Sequence, residues 1–146
     1  MLRPIRGCDG FTLTEALLVA AMLGIMAGFA VPHISEAIDN AAAASVAGDA
    51  HNVGLAVNQF LQAGGTLPPT GNAGEVPTGL QEYLEETMTF SRRDAIYRLV
   101  TQPVSGTAQL WVDYPTGSPM GYALQAFREP GRVTWTPTRT TFFLIQ

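Results

Sequence analysis

The stretch Phe11 to Ile34, FTLTEALLVAAMLGIMAGFAVPHI, decides how the rest of the chain is read. Glu15 is its only formally charged side chain, and Ala16 to Val31 carries neither charge nor strong polarity. As one helix it would be roughly 36 Å long, enough to cross a hydrocarbon core of about 30 Å. Arg3 and Arg6 precede it, so the positive-inside rule predicts a cytoplasmic N-terminus, a single pass and an outward-facing body. Three readings fit this pattern. One is a plain transmembrane anchor. Another is a secretory signal with Gly28-Phe29-Ala30 as a small-x-small cleavage site, against which Asp9, Glu15 and Pro32 stand awkwardly placed. The third, a lipoprotein signal ending at Cys8, fails because Cys8 comes before the apolar run.

Glu15 separates these readings. A carboxylate so close to the start of an apolar span costs on the order of 3 kcal/mol on insertion scales, and such a residue usually has a partner. Cutting between Gly10 and Phe11 would create a cation within one helical turn, the new α-amino group. Amine and carboxylate of neighbouring subunits could then pair at close range in a low dielectric. A penalty in the monomer becomes a force for assembly.

Gly10-Phe11-Thr12-Leu13-Thr14-Glu15 followed by an apolar helix resembles the prepilin motif of type IV pilins and type II secretion pseudopilins. The resemblance implies a leader, residues 1–10, removed by a membrane prepilin peptidase, with N-methylation of Phe11. It implies Glu15 as the fifth mature residue and Pro32 at mature position 22. The partners implied are a homo-oligomeric helical filament, an inner-membrane platform protein and an assembly ATPase, with membrane lipid around the span before assembly. Between pilus and secretion pseudopilus, the lack of any cysteine after Cys8 leans weakly to a pseudopilin or a pilin without a disulfide. A permanently anchored single-span binding or sensor protein is the rival class.

Gly24 and Gly28 form a small-xxx-small pair, and Pro32 removes an N–H and should bend or loosen the helix. Together they make this segment a candidate for melting on assembly. Beyond Pro32, Ser35 to Asp39 offers a cap and an acidic first turn. Ile38, Val46, Val53, Leu55, Val57, Phe60 and Leu61 supply a broken apolar stripe across residues 35–63. Ala41 to Ala44, Ser45, Ala47 and Gly48 offer a surface of small side chains suited to close packing. Gly64-Gly65 ends the helix, which from Phe11 would span roughly 80 Å if continuous.

Residues 64–146 read as a globular head. A Pro/Gly/Thr-rich loop leads into a short helix at Leu80 to Glu86. Ala95 to Val100 is either strand or short helix. Gln109 to Tyr114, Gly121 to Arg128, Arg132 to Thr136 and Thr140 to Ile145 follow as strands at hairpin spacing. The fold class is α+β: a long N-terminal helix packed on a small C-terminal antiparallel sheet, pilin-like by the resemblance. Trp111, Phe127, Trp135, Phe142 and Phe143 are the expected filling of that interface.

Composition narrows the chemistry. The net charge is −4, every basic residue is arginine, and removal of residues 1–10 leaves 6 arginines against 11 acids. That balance disfavours nucleic-acid binding by bulk charge, although Arg92 and Arg93 could form a local patch. His33 and His51 share a helix face but lie roughly 27 Å apart, too far to hold one metal. No second cysteine, phosphate loop or nucleophile motif is present. After residue 100 only Asp113 and Glu129 are acidic, too few for a calcium loop. Neither an enzyme nor a cofactor is expected.

Overall fold

The computed structural model describes residues 11–86 and 88–145; the expected leader lies outside them. A single helix, α1 (Leu13–Gln62), is followed by β1 (Ser91–Arg92), β2 (Ala95–Gln102), β3 (Thr107–Asp113), α2 (Pro119–Ala123), β4 (Val133–Thr136) and β5 (Arg139–Ile145). Packing divides the chain between Glu36 and Ala37. The architecture is α+β, a long helix packed on an antiparallel sheet of five strands.

The contact of α1 with the sheet is made by residues of the second unit. Asp39, Ala43, Val46, Ala50, Val53 and Val57 are buried, at alternating spacings of four and three. That spacing lines one helical face. The stripe differs from the expected one: Ile38 and Leu55 are exposed, and Ala43 and Ala50 take their place. Small side chains let the helix lie close to the sheet, and a Cβ added to Gly54 would meet Leu144 Cδ2 at 3.6 Å. Opposite the stripe, Ala95, Tyr97 and Leu99 of β2, Ala108, Leu110 and Val112 of β3, and Thr140 and Phe142 of β5 face inward. Each fully buried aliphatic side chain contributes about 2 kcal/mol.

Strand order is β1-β2-β3-β5-β4, so the chain passes over β5's place and returns to it. A simple meander would have paired β3 with β4; instead β4 forms the edge. The detour is α2 and the 3-10 turn Leu124–Phe127, where residues 121–128 had the look of a strand. Ser118 and Pro119 decide the matter. Ser118 Oγ accepts from the Gly121 N–H at 3.0 Å, and Pro119 fits the first helical position, where no N–H is needed. Gly121 is required there, because a Cβ would overlap the Tyr114 ring. Trp135 Nε1 donates to the Gly121 carbonyl at 2.7 Å, and the Tyr114 hydroxyl donates to Thr136 O at 2.9 Å. These bonds tie α2 to the β4–β5 hairpin.

Three further readings change. Helix at Leu80 to Glu86 shrinks to a 3-10 turn, Gln81–Tyr83, held to the end of α1 by an edge-to-face contact of Tyr83 with Phe60 at 5.9 Å. Ser35 caps nothing, since α1 is helical on both sides of it and through Pro32. The aromatic core is Phe90 and Tyr97, packed edge to face at 6.1 Å, with Tyr114 and Phe142; of the expected residues Phe127 and Trp135 pack half-buried against it, whereas Trp111 lies on the sheet's other face. The helix end is as read. Gly64 has φ 88, its N–H bonds Leu61 O at 3.1 Å, and the Gly65 N–H bonds Phe60 O at 3.1 Å. This is the paired closure of a Schellman motif.

Candidate functional site

Two places concentrate polar chemistry, the start of α1 and the hairpin that meets its second half. At the start, Thr12 precedes the first helical residue and Glu15 is three positions on. The Thr12 N–H donates to Glu15 Oε2 at 2.9 Å, the Thr12 hydroxyl donates to the same oxygen at 2.8 Å, and the Glu15 N–H donates back to Thr12 Oγ1 at 3.3 Å. This is a capping box, in which two otherwise orphaned N–H groups are satisfied reciprocally. Its signature, Thr-x-x-Glu, stands in the sequence as Thr12 to Glu15. Both bonds that the carboxylate accepts end on Oε2. Oε1 receives none among the described residues.

Phe11 is exposed beside this cap, and Gly10 lies outside the described residues. Every residue from Phe11 to Ile38 is exposed, and from Ala16 to Val31 the helix is apolar all round with nothing among the described residues covering it. It is long and apolar enough to cross a membrane and is compatible with a single-pass anchor. Gly24, Gly28 and Pro32 recur every four residues and therefore share one stripe. A Cβ added at either glycine would meet nothing within 4 Å. Pro32 has no N–H, so the Gly28 carbonyl lacks its usual intrahelical donor.

At the second place, acids on α1 hold the β1–β2 hairpin. Asp49 Oδ2 accepts from Arg92 Nε and from the Tyr97 hydroxyl, both at 2.8 Å, and Oδ1 accepts from Arg92 Nη2 at 3.2 Å. Asp39 Oδ1 accepts from Arg93 Nη1 at 2.6 Å. Arg93 opens a two-residue hairpin loop with φ 55, a left-handed conformation that costs an arginine about 1 kcal/mol or more. The adjacent arginines are thus engaged by two helix carboxylates and form no free basic patch.

Burial, and then the bond to Asp49, pushes the Tyr97 hydroxyl well above the usual phenol range. Burial also raises Tyr114. A group whose pKa is raised on folding holds its proton in the native state after the unfolded chain has released it. Its stabilisation is complete below about pH 10 and is lost as pH climbs through the folded value. Alkaline titration followed by circular dichroism is expected to show stability falling from about pH 10 upward. Tyr97→Phe should flatten that limb while lowering neutral-pH stability by about 1 kcal/mol.

On the outer face of the sheet, Arg139 pairs with Asp113 and lies 4.0 Å over the Trp111 ring. Beside Trp111 in the register is Arg98, whose buried Nε has no hydrogen-bond partner among the described residues. Among the described residues no group of three or more His, Cys, Asp or Glu could hold a metal. Glu82, Glu85 and Glu86 are exposed. Comparison with family models, with curated proteins and with solved structures finds no match.

Proposed function

We propose that this chain is the structural subunit of a type IV pilus-like filament. The precursor is held in the inner or cytoplasmic membrane, cut between Gly10 and Phe11 by a prepilin peptidase and methylated on the new amine. An assembly ATPase, acting through a membrane platform protein, then drives its extraction into a pilus or a periplasmic pseudopilus. The observation that carries this reading is Glu15, the only charge between Phe11 and Ile34, with one carboxylate oxygen spent on its own cap and the other free to accept. A neighbouring Phe11 amine meeting Oε1 would neutralise the charge without undoing the cap. The uncovered helix then exchanges lipid for the helices of other copies, with Gly24 and Gly28 allowing close approach.

The capping box also favours a second reading, a permanent anchor, because it gives Glu15 a local role that needs no neighbour.

The sequence contains no lysine, so the cut chain has a single amine, on Phe11. A zero-length carbodiimide can therefore form an amide between chains only there. Treated filaments are expected to yield a ladder of covalent oligomers containing a Phe11–Glu15 cross-linked peptide, and mass spectrometry should find a methylated Phe11. An intact Met1 or a start at Val31 rejects the processing step. Filaments that yield no such peptide reject the pairing. Imaging separates the two filament classes: long surface fibres favour the pilus, and fibres only on overexpression favour the secretion pseudopilus.

A further inference from the structure

The two edges of the sheet, β1 and β4, each border a groove against the second half of α1. On the β4 side a groove of about 530 Å³ has a floor that includes Val133, Phe142 and Leu144, with His51 and Leu55 of α1 on one wall and Arg132 on the other. Arg132 is exposed and has no side-chain partner among the described residues, and neither has Arg128 in the same hairpin. On the β1 side a smaller groove of about 260 Å³ is bordered by Tyr83, Leu84, Glu85 and Arg92. Glu82, Glu85 and Glu86 stand exposed there, and no ion pair among the described residues engages them.

The charges left over after internal pairing differ by edge: beside the β4 groove Arg128 and Arg132 outnumber the one carboxylate that lines it, Glu129. Asp39, Asp49 and Asp113 consume Arg93, Arg92 and Arg139. Of the three arginines that remain among the described residues, two lie on the β4-side hairpin, while the β1-side turn keeps three carboxylates. A mixed groove with an arginine rim suits an acidic turn carrying one apolar side chain better than it suits an apolar helix. Leu84, between the acids, is such a side chain: it packs on its own core with one part and leaves the rest exposed.

Resting on the filament reading, we propose that the groove at the β4 edge receives the Glu82–Glu86 turn of a second copy, with Glu85 against Arg132. The contact joins two different patches, so it is heterologous and repeats without closing, as a filament requires. A single rim ion pair contributes little, but this one recurs at every subunit.

After cleavage the chain has no cysteine, so introduced thiols report the contact cleanly. In a chain carrying both Glu85→Cys and Arg132→Cys, oxidised filaments are expected to run as a covalent ladder beyond the dimer, while either single variant stays monomeric. Filaments of the double variant without a ladder, or single variants that dimerise, overturn the proposal. A second measurement uses charge. Arg132→Glu should lower filament yield by roughly tenfold, and adding Glu85→Arg to the same chain should restore it. No loss, or loss without restoration, also overturns the contact. Wild-type protein that forms no filament at all would retire the filament reading together with this contact. Wild-type filaments that fail these tests retire the contact alone.

Discussion

On the filament reading, Glu15→Gln is expected to be cut and methylated, yet to give almost no filaments. Glutamine at this position keeps the capping box, because its side-chain oxygen still accepts from Thr12. What it loses is the charge that a neighbouring amine would meet. Glu15→Ala loses both, and its helix start is weakened by about a further 1 kcal/mol. The two variants therefore separate local capping from pairing between subunits. Filament yield is measured by shearing and sedimentation, and processing by the mass of the N-terminal peptide. If Glu15→Gln assembles normally and only Glu15→Ala fails, the side chain serves the cap and the pairing between subunits is rejected.

The second large effect is expected at Asp49→Ala. Its carboxylate accepts from both Arg92 and the Tyr97 hydroxyl, and Tyr97 is fully buried. Removing it leaves a buried hydroxyl without its acceptor and an arginine without its counter-charge. The arginine is half exposed and resolvates at small cost; the hydroxyl cannot. A loss of about 2–3 kcal/mol is expected, and a fall in melting temperature on the order of 10 °C. Thermal unfolding of the detergent-solubilised full chain, followed at the near-ultraviolet bands of the aromatic residues, measures it. The double variant with Tyr97→Phe should recover part of the loss, since no hydroxyl then needs an acceptor. Equal melting of both variants would mean that Asp49 acts through Arg92 alone.

The apolar span was legible because an unbroken run needs no periodicity to be recognised. The helix end was legible because Gly64 supplies a positive φ that other residues resist. The packing stripe of α1 was not, since alanine suits an exposed helical face as well as a buried one, and only the sheet shows that Ala43 and Ala50 face inward. Residues 121–128 misled because their spacing between turn residues suits a hairpin strand, whereas the helix-starting pair Ser118-Pro119 sits just upstream. Hairpin spacing placed β4 and β5 beside each other but says nothing about which of them lies against β3. At the candidate site, the need of Glu15 for a partner was readable from charge alone. The local partner, Thr12, was overlooked, and Asp39 and Asp49 gave no signal because their arginines are 54 and 43 residues away.

The two aspartates that grip the hairpin have a mechanical consequence. They sit ten positions apart on α1 and fasten to adjacent residues of one rigid loop. A helix cannot stretch or twist between two rivets without shearing one of them. The segment from Asp39 to Asp49 is accordingly stiff, and any strain along the chain must be taken up where nothing braces the backbone, among Gly24, Gly28 and Pro32. Under load that stretch should yield first, lengthening by uncoiling while the head keeps its form. Amide hydrogen exchange should show the same ranking, with residues 24–36 exchanging well before residues 43–57.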